Sequence, residues 1–503
     1  MTTTSVSSLF DSISALKSSL FNMHPSGSQY FSVYDTAFLS LIKDSHQRPI
    51  FPNSLKLLFA SMNKNGSWGN TNILSDNLLS TLASIYALKQ SHFSSTPLVQ
   101  HILSTAEEFV FANFNRIANE SFFTAGFEFL IPDLLRKTDL ALFDHPITKK
   151  LLDYQQKKLS MIPIEFIRQK KTPMLFALES LDDFGLQKNL DHFVEANGSI
   201  ATSPSTTAWY LNHNPDSDMI PEMVRYLIDL YNPHNGSVPS FSDYSLMNIP
   251  FVLYPLFKAN VPFPNSHSLL SYVLDHWTPT GVGHSTHFPM TDADDTALSL
   301  LLLNKYFFIP DNSDKFDSLL AYKKGNYFVT YPYEIGASNM VNLHVLDMLL
   351  ETSIVRYNHE VDISQLVSYI AKKITPEQGI GGDKYHFSPY CQNAHGVLTL
   401  TKHFPNLSIK LIDWFLANQD ENGLWGMHGP TVEETAYGVI ALCYFHIHAE
   451  ELDLSVVHKA IDYLISNQDP YPNLWLSKVA YTPIETVQAH ILAALELYHQ
   501  AVF

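Results

Sequence analysis

Cysteine is almost missing from this chain: Cys391 and Cys443, two in 503 residues, cannot make a disulfide framework and have no clustered partners with which to hold zinc. They read as buried thiols in a reducing compartment. Basic residues are scarce, 31 Lys and Arg against 49 Asp and Glu, and a net charge of −18 is a poor match for nucleic acid. Long hydrophobic runs are lacking too. The longest, Leu298 to Leu303 and then Phe307 to Ile309, is broken by Asn304 and Lys305 and falls short of the ~20 residues that span a bilayer. Met1 to Phe21 is rich in Ser and Thr but carries Asp11 and a single Lys, so it has neither the apolar core of a signal peptide nor the Arg bias of a transit peptide. The expectation is a cytoplasmic protein with no transmembrane segment. Charged residues make up 16% against 46% hydrophobic and 13% aromatic, which excludes a disordered chain and suits a large core.

What the chain does have is a repeated phrase: a Gly-containing turn, an irregular stretch, then a small-residue step opening an apolar helix. Asn65-Gly66-Ser67-Trp68-Gly69 leads to a helix at Asn77 to Leu88, and Asn197-Gly198-Ser199 leads through Ser203-Pro204-Ser205 to Thr207-Ala208-Trp209. Thr280-Gly281, Gly381-Gly382, Asn422-Gly423 and Asn473-Leu474-Trp475 open four more, the second carrying Ala394-His395-Gly396-Val397 among its small residues. Apolar positions recur at the helical period and period-two alternation is scarce, so the fold class is all-α. Helix pairs of this kind cannot bury their apolar faces alone and must stack or close into rings. Changes in the pattern place an inserted domain at 46–252 within a second domain formed by 1–45 and 253–503.

The element that carries chemistry is Asp292-Ala293-Asp294-Asp295-Thr296-Ala297, where a loop meets an apolar helix. One carboxylate suffices to cap a helix, and this run of three continues directly into Leu298 to Leu303. Like charges held close in a low-dielectric interior cannot all ionise, so one carboxyl keeps its proton at neutral pH. A protonated carboxyl in a cavity lined by some of the 33 Phe, 25 Tyr and 6 Trp is suited to protonating an alkene and shielding the resulting cation.

At this point the sequence resembles the class II terpene cyclases, most closely diterpene cyclases of the copalyl diphosphate synthase type. Ser32-Val33-Tyr34-Asp35-Thr36-Ala37-Phe38 is similar to that family's N-terminal signature, and Asn65 to Leu88 to its glycine-tryptophan turn and helix. Gly126-Phe127-Glu128, Ser203 to Ala208, Gly236-Ser237-Val238-Pro239, Asp292 to Ala297 and Glu433-Glu434-Thr435-Ala436-Tyr437 continue the match in order. The resemblance implies two α-barrels, called β and γ, with the site between them. It also implies that Asp294 is the general acid, tuned by Asp292 and Asp295, and that the product keeps its diphosphate. The substrate implied is geranylgeranyl diphosphate, and a separate class I synthase or phosphatase would process the product. A class I domain is not expected: Asp182-Asp183-Phe184-Gly185-Leu186 lacks the final Asp of the metal-binding element and reads as solvated loop charge.

Several positions depart from the family pattern. Of an acidic run that helps hold Mg²⁺ and the diphosphate only Glu120 remains, in Arg116-Ile117-Ala118-Asn119-Glu120, although a diphosphate presented to so acidic a chain still calls for Mg²⁺. Lys158 matches a lysine read as a diphosphate contact. Phe176 stands where copalyl-type members have a His, and Ser240 where they have an Asn, the pair that positions the water removing the final proton. With that base gone, hydride and methyl shifts can precede proton loss, the Phe176 ring stabilising the migrating charge. The expected product is therefore a rearranged clerodane or halimane such as kolavenyl diphosphate. Against it stand an unrearranged copalyl diphosphate made with Tyr210 or His395 as base, drimenyl diphosphate made from farnesyl diphosphate, and a non-catalytic isoprenoid-binding barrel.

Overall fold

The computed structural model describes residues 3–120, 123–233, 235–288, 290–332, 334, 336–352 and 360–503, without the side chains of 3–6, 360 and 361. Helices dominate, and among the described residues the strands are two short antiparallel pairs, Lys323–Lys324 with Tyr327–Phe328 and Trp475–Leu476 with Ala480–Tyr481. No described helix is long and apolar enough to cross a membrane.

The small-residue steps of the sequence are helix caps. Ser32, Ser203, Asp292, Ser338, Ser388 and Thr431 each turn a side-chain oxygen onto a backbone N–H of the first turn that follows. In one domain the capped helices Ala293–Lys305, Asn339–Glu351, Pro389–Leu400 and Val432–His448 stand side by side, and Ile484–Val502 and Ser245–Lys258 close the ring. Outer helices, including Thr3–Phe21, Ser266–Asp275, Glu360–Ala371, Pro405–Ala417 and His458–Ser466, pack around them. The inner helices are buried on nearly every side, as in Val432 to Phe445, which is why their apolar residues run on without a polar face. Trp425 plugs its turn as its place beside Gly suggests: its Nε1 donates to the Phe415 carbonyl at 2.9 Å, and a Cβ on Gly438 would lie 2.4 Å from the ring.

The second domain is a smaller ring. Val33–Leu39, Leu74–Gln90, Phe127–Thr138, Pro173–Ser180 and Pro204–His213 follow one another around it, each touching the next and the last returning to the first. Its core runs from Tyr34 to Val238 and takes in Phe288 and Val479, whereas Leu9 to Leu20 and most buried apolar residues from Phe241 onward belong to the core of the other ring. Two segments at the expected borders pack otherwise than the sequence reading has them. Val33–Leu39 closes the inserted ring and so cannot belong with 1–45, and the chain rejoins the first domain near Phe241 rather than at 253, because Phe241 to Val252 packs there.

The hairpin Trp475–Leu476/Ala480–Tyr481 joins the rings. It leaves the first and drives its turn, Ser477-Lys478-Val479, into the second, where the Ser477 carbonyl accepts from Ala125 N at 2.7 Å and Ala480 N donates to Asp76 at 2.9 Å. Lys478, fully buried, pairs with Glu179 at 2.7 Å and donates to Ser203 Oγ and Ser205 Oγ at 2.7 and 2.6 Å. Burial raises the Glu179 carboxyl, but Lys478 beside it, with the hydroxyls that donate to it, prevails and holds it below its ordinary value.

Candidate active site

The three aspartates fall on the cap and first turn of Ala293–Lys305, and the helix gives them different surroundings. Asp292 is the N-cap and accepts the Asp295 N–H at 2.9 Å. Both Asp292 and Asp295 are buried, and burial first, with the charge of Asp294 on Asp292 and that of Asp292 on Asp295, pushes both carboxyls above the ordinary range, Asp295 the further. They share a proton held on Asp295. Asp294 points elsewhere: its side chain keeps 14% of its exposure, and Oδ1 lies 2.5 Å from His344 Nδ1. The run therefore contains one tuned pair and one accessible carboxyl.

This arrangement makes stability pH-dependent in the direction opposite to an ion-paired carboxylate. The folded Asp292–Asp295 pair keeps a proton that an unfolded aspartate releases near pH 4, so the folded state binds more protons and stability falls as pH rises above that point. Asp292→Asn should flatten that decline, read as the midpoint of urea unfolding between pH 4 and 7.

Behind Asp294 stands a column of histidines. His344 Nε2 meets His395 Nδ1 at 2.8 Å, His395 Nε2 meets His490 Nε2 at 3.2 Å, and His490 Nδ1 meets the Thr486 carbonyl at 2.8 Å. All three rings are buried. Burial, reinforced by the neighbouring rings, holds His395 well below its ordinary value, and burial pushes His490 down to about 4, so both are neutral. His395, weighed above as a base, has both ring nitrogens engaged in this column. Tyr210, the other candidate base, is tied to Asp191 at 2.9 Å and to Leu190 N within the second ring.

From the acid a line of aromatic rings leads to the inserted domain. His344 faces Phe251 at 5.7 Å, Phe251 faces Trp475 at 5.7 Å, Trp475 approaches Tyr481 at 6.3 Å, and Tyr481 meets Phe241 at 4.9 Å. Phe176 follows Phe241 at 6.1 Å. Phe176 and Ser240 converge on the same hairpin turn: the Lys478 ammonium sits 4.7 Å over the Phe176 ring, and Ser240 Oγ is 3.4 Å from both Gln29 Oε1 and Ser477 Oγ. One face of the Phe176 ring is thus engaged by an ammonium, which follows from where the turn inserts.

The residues expected at the diphosphate end are placed differently. Glu120 spends its oxygens on the backbone N–H groups of Leu74 and Ser75, at 2.6 and 3.1 Å, and so caps Leu74–Gln90. No group of three His, Cys, Asp or Glu among the described residues could hold a metal ion. The donor set offered by Glu120 does not fit a Mg²⁺ site, and no chemical step is assigned to one. Lys158 pairs with Glu128 on the adjoining helix, with 42% of its side chain exposed. Asp182 is not solvated loop charge: it accepts from Trp209 Nε1 at 2.8 Å and pairs with Lys137 at 2.8 Å, while Asp183 pairs with Arg136.

No protein-family model matches the chain. Sequence relatives do. It is 26% identical to the type B diterpene cyclase of Mycobacterium tuberculosis (strain ATCC 25618 / H37Rv) over 75% of this chain and 77% of that one. The copalyl diphosphate synthase of Talaromyces verruculosus is 27% identical over 92% of this chain, but over only 52% of its own length. In fold, the chain matches the ent-copalyl diphosphate synthase from Streptomyces platensis with a TM-score of 0.80, at 24% identity, over 97% of this chain and 99% of that one. The sequence relatives and the structural neighbours are class II diterpene cyclases. These are isomerase-type enzymes that cyclise an intact precursor. Apart from the mycobacterial protein, the curated relatives compared are longer, and the match spans from 34% to 52% of their length.

Sequence reasoning did not find His344 or His490. A signal was there: His344, His395 and His490 each lie six or seven residues into a helix of the inner ring, so a shared depth in the barrel was written in the spacing from each helix start.

Proposed function

We propose that this class II diterpene cyclase takes geranylgeranyl diphosphate, protonates its terminal alkene from Asp294, and releases a bicyclic diterpenyl diphosphate with the ester intact. The observation that carries this reading is the accessible Asp294 carboxyl bonded to His344 at 2.5 Å beside the buried Asp292–Asp295 pair, at one end of the ring line. The carboxyl's proton passes to the alkene, the alkene's π electrons form the new C–H bond, and the cation moves through the second and third double bonds to close two rings. Aromatic faces stabilise the cation without accepting its proton. Lys158 is assigned to the diphosphate. A separate class I synthase or phosphatase consumes the product. The two free, buried cysteines support a cytoplasmic setting.

For the product we hold to a rearranged skeleton, kolavenyl or a related clerodane or halimane diphosphate. What supports it is that neither Phe176 nor Ser240 offers a base: one is a hydrocarbon ring beneath an ammonium, the other a hydroxyl beside the polar side chains of Gln29 and Ser477. Incubation of purified protein with geranylgeranyl diphosphate, phosphatase treatment, and mass spectrometry with NMR should give a clerodane or halimane alcohol. Copalol would keep the cyclase and end the rearranged-product reading. Turnover of farnesyl diphosphate alone would assign a drimenyl diphosphate synthase, and turnover of neither would favour a binding barrel.

A further inference from the structure

His284 lies on the loop that follows the Thr280-Gly281 turn and precedes the helix of the three aspartates. The stem of that loop is tight: Val282 N donates to Thr296 Oγ1 at 3.1 Å, Asp292 N donates to the Val282 carbonyl at 3.0 Å, and a Cβ on Gly283 would lie 1.9 Å from the Met290 carbonyl oxygen. Beyond the stem, Phe288 joins the core of the inserted ring and packs on the imidazole, the two rings 4.6 Å apart. Phe241 makes an edge contact with the imidazole at 5.8 Å, and Phe241 also meets Tyr481 and Phe176. His284 therefore stands at the end of the aromatic line that starts beside Asp294.

The two ring nitrogens have different surroundings. Nε2 is 3.2 Å from the hydroxyl of Thr202, a fully buried residue of the inserted ring. Thr202 Oγ1 accepts from an Nε2–H whether the imidazole is neutral or protonated, so this contact survives a proton gain. Nδ1 has no partner among the described residues. The imidazole is enclosed by protein, and that burial pushes it down to about 4, yet it keeps part of its surface exposed; the exposed part faces internal space. A neutral imidazole with a bare lone pair open to an aromatic-lined space is a base. The other polar groups near it are engaged: Asp243 takes the hydroxyls of Ser285 and Ser245, Tyr244 donates to the Ser28 carbonyl, and Tyr226 donates to those of Thr202 and Ser242. Lys478, beside Phe176, is an ammonium and has no lone pair to offer.

We propose that His284 Nδ1 is the base that ends the reaction, with Thr202 as its positioning residue. This rests on the cyclase reading. Asp294 supplies one proton at the start, and one must leave carbon at the end for an alkene to form. At that step a C–H bond beside the cationic carbon breaks, its electron pair becomes the new C=C bond, and the proton goes to Nδ1 while the Nε2–H stays on Thr202 Oγ1. A carbocation is so strong an acid that an imidazole of lowered affinity still takes its proton. The same lowered affinity then passes the proton on to solvent, from which Asp294 is recharged. The position bears on the product as well. His284 touches Phe241, one ring removed from Phe176, so it meets another carbon of the bound cation than a base at Phe176 or Ser240 would. That placement suits a charge that has migrated before it is quenched.

His284→Phe tests the assignment in the same product assay with geranylgeranyl diphosphate. Formation of the wild-type product should fall by about 100-fold or more, on the scale of a lost general base. Part of the lost flux should reappear as isomers from other proton losses and as alcohols from capture of water by the cation, whereas a residue that merely holds the loop would lower all products together. His284→Gln keeps an N–H for Thr202 without a basic nitrogen and should shift the products in the same way, so a folding defect in one variant does not decide the matter. Thr202→Val should give a milder shift of the same kind, and Thr202→Ser should restore the wild-type product. Independently of turnover, ¹⁵N-histidine spectra of the full chain carrying Asp294→Asn should show one neutral imidazole, assigned by its absence when His284→Gln is added, whose signal moves when geranylgeranyl diphosphate is supplied. An unchanged product pattern in both His284 variants, or no movement of that signal, overturns the proposal while the cyclase stands. No turnover by the wild type overturns the cyclase reading and, with it, the assignment of the base.

Discussion

Asp294→Asn should abolish turnover, by at least about 10³-fold in kcat, because a general acid contributes on that order and the amide has no transferable proton. The substitution is close to isosteric, and the amide can still take the His344 N–H on its oxygen, so fold and substrate binding should persist. Single-turnover consumption of geranylgeranyl diphosphate is the measurement, with thermal midpoint and affinity for the intact diphosphate as controls. Asp292→Asn and Asp295→Asn should be milder, because they alter the proton affinity of a neighbour instead of removing the proton delivered. The ranking is the sharper test. If Asp295→Asn abolished turnover while Asp294→Asn kept activity, the acid would be the buried carboxyl that holds its proton, and the accessible one paired with His344 would be its tuner.

That ranking also shows how far the sequence reads. Asp292-Ala293-Asp294-Asp295 announces clustered carboxyls at a helix start, and electrostatics alone requires that one stay protonated. Which of the three is buried depends on how the first turn rotates against Thr330 and Val282, whose carbonyls take the Ala293 and Asp292 N–H groups, and no local pattern encodes that. The ring architecture is legible in the cap-and-apolar-helix phrase because each phrase builds one inner helix. The border at 45 is not, since whether Val33–Leu39 closes one ring or the other is decided by what it packs on. Phe176 and Ser240 can be picked out singly, but their meeting point is a turn more than 230 residues away, and the ammonium lying over Phe176 comes from a lysine that carries no motif of its own.

Lys478→Met should be the most damaging change for stability, costing about 3–5 kcal/mol, because it leaves the Glu179 carboxylate in the interior without its ammonium. For domains of this size that is a fall of roughly 10 °C in midpoint, measurable by scanning calorimetry at matched rates. Tyr34, Ser205 and Thr206 still donate to Glu179, at 3.0, 3.0 and 2.5 Å, and cannot replace a full positive charge. The double substitution Lys478→Met/Glu179→Leu should recover most of the loss, since two apolar side chains in a packed interior need no partner. The pH dependence should invert as well. In the wild type Glu179 is held below its ordinary value, so its contribution is complete above that value and disappears as pH falls through the lowered one. In Lys478→Met burial outweighs the hydroxyl donors that remain and raises the carboxyl, so mild acid should stabilise the variant while it weakens the wild type's pair. Because Lys478 belongs to the hairpin of one ring and Glu179 to the wall of the other, loss of the pair should also loosen the two domains. A single transition in the wild type that separates into two in Lys478→Met would locate the damage at that joint, whereas one transition merely lowered would mean that the remaining hairpin bonds, Ser477 to Ala125 and Ala480 to Asp76, hold the rings together without it.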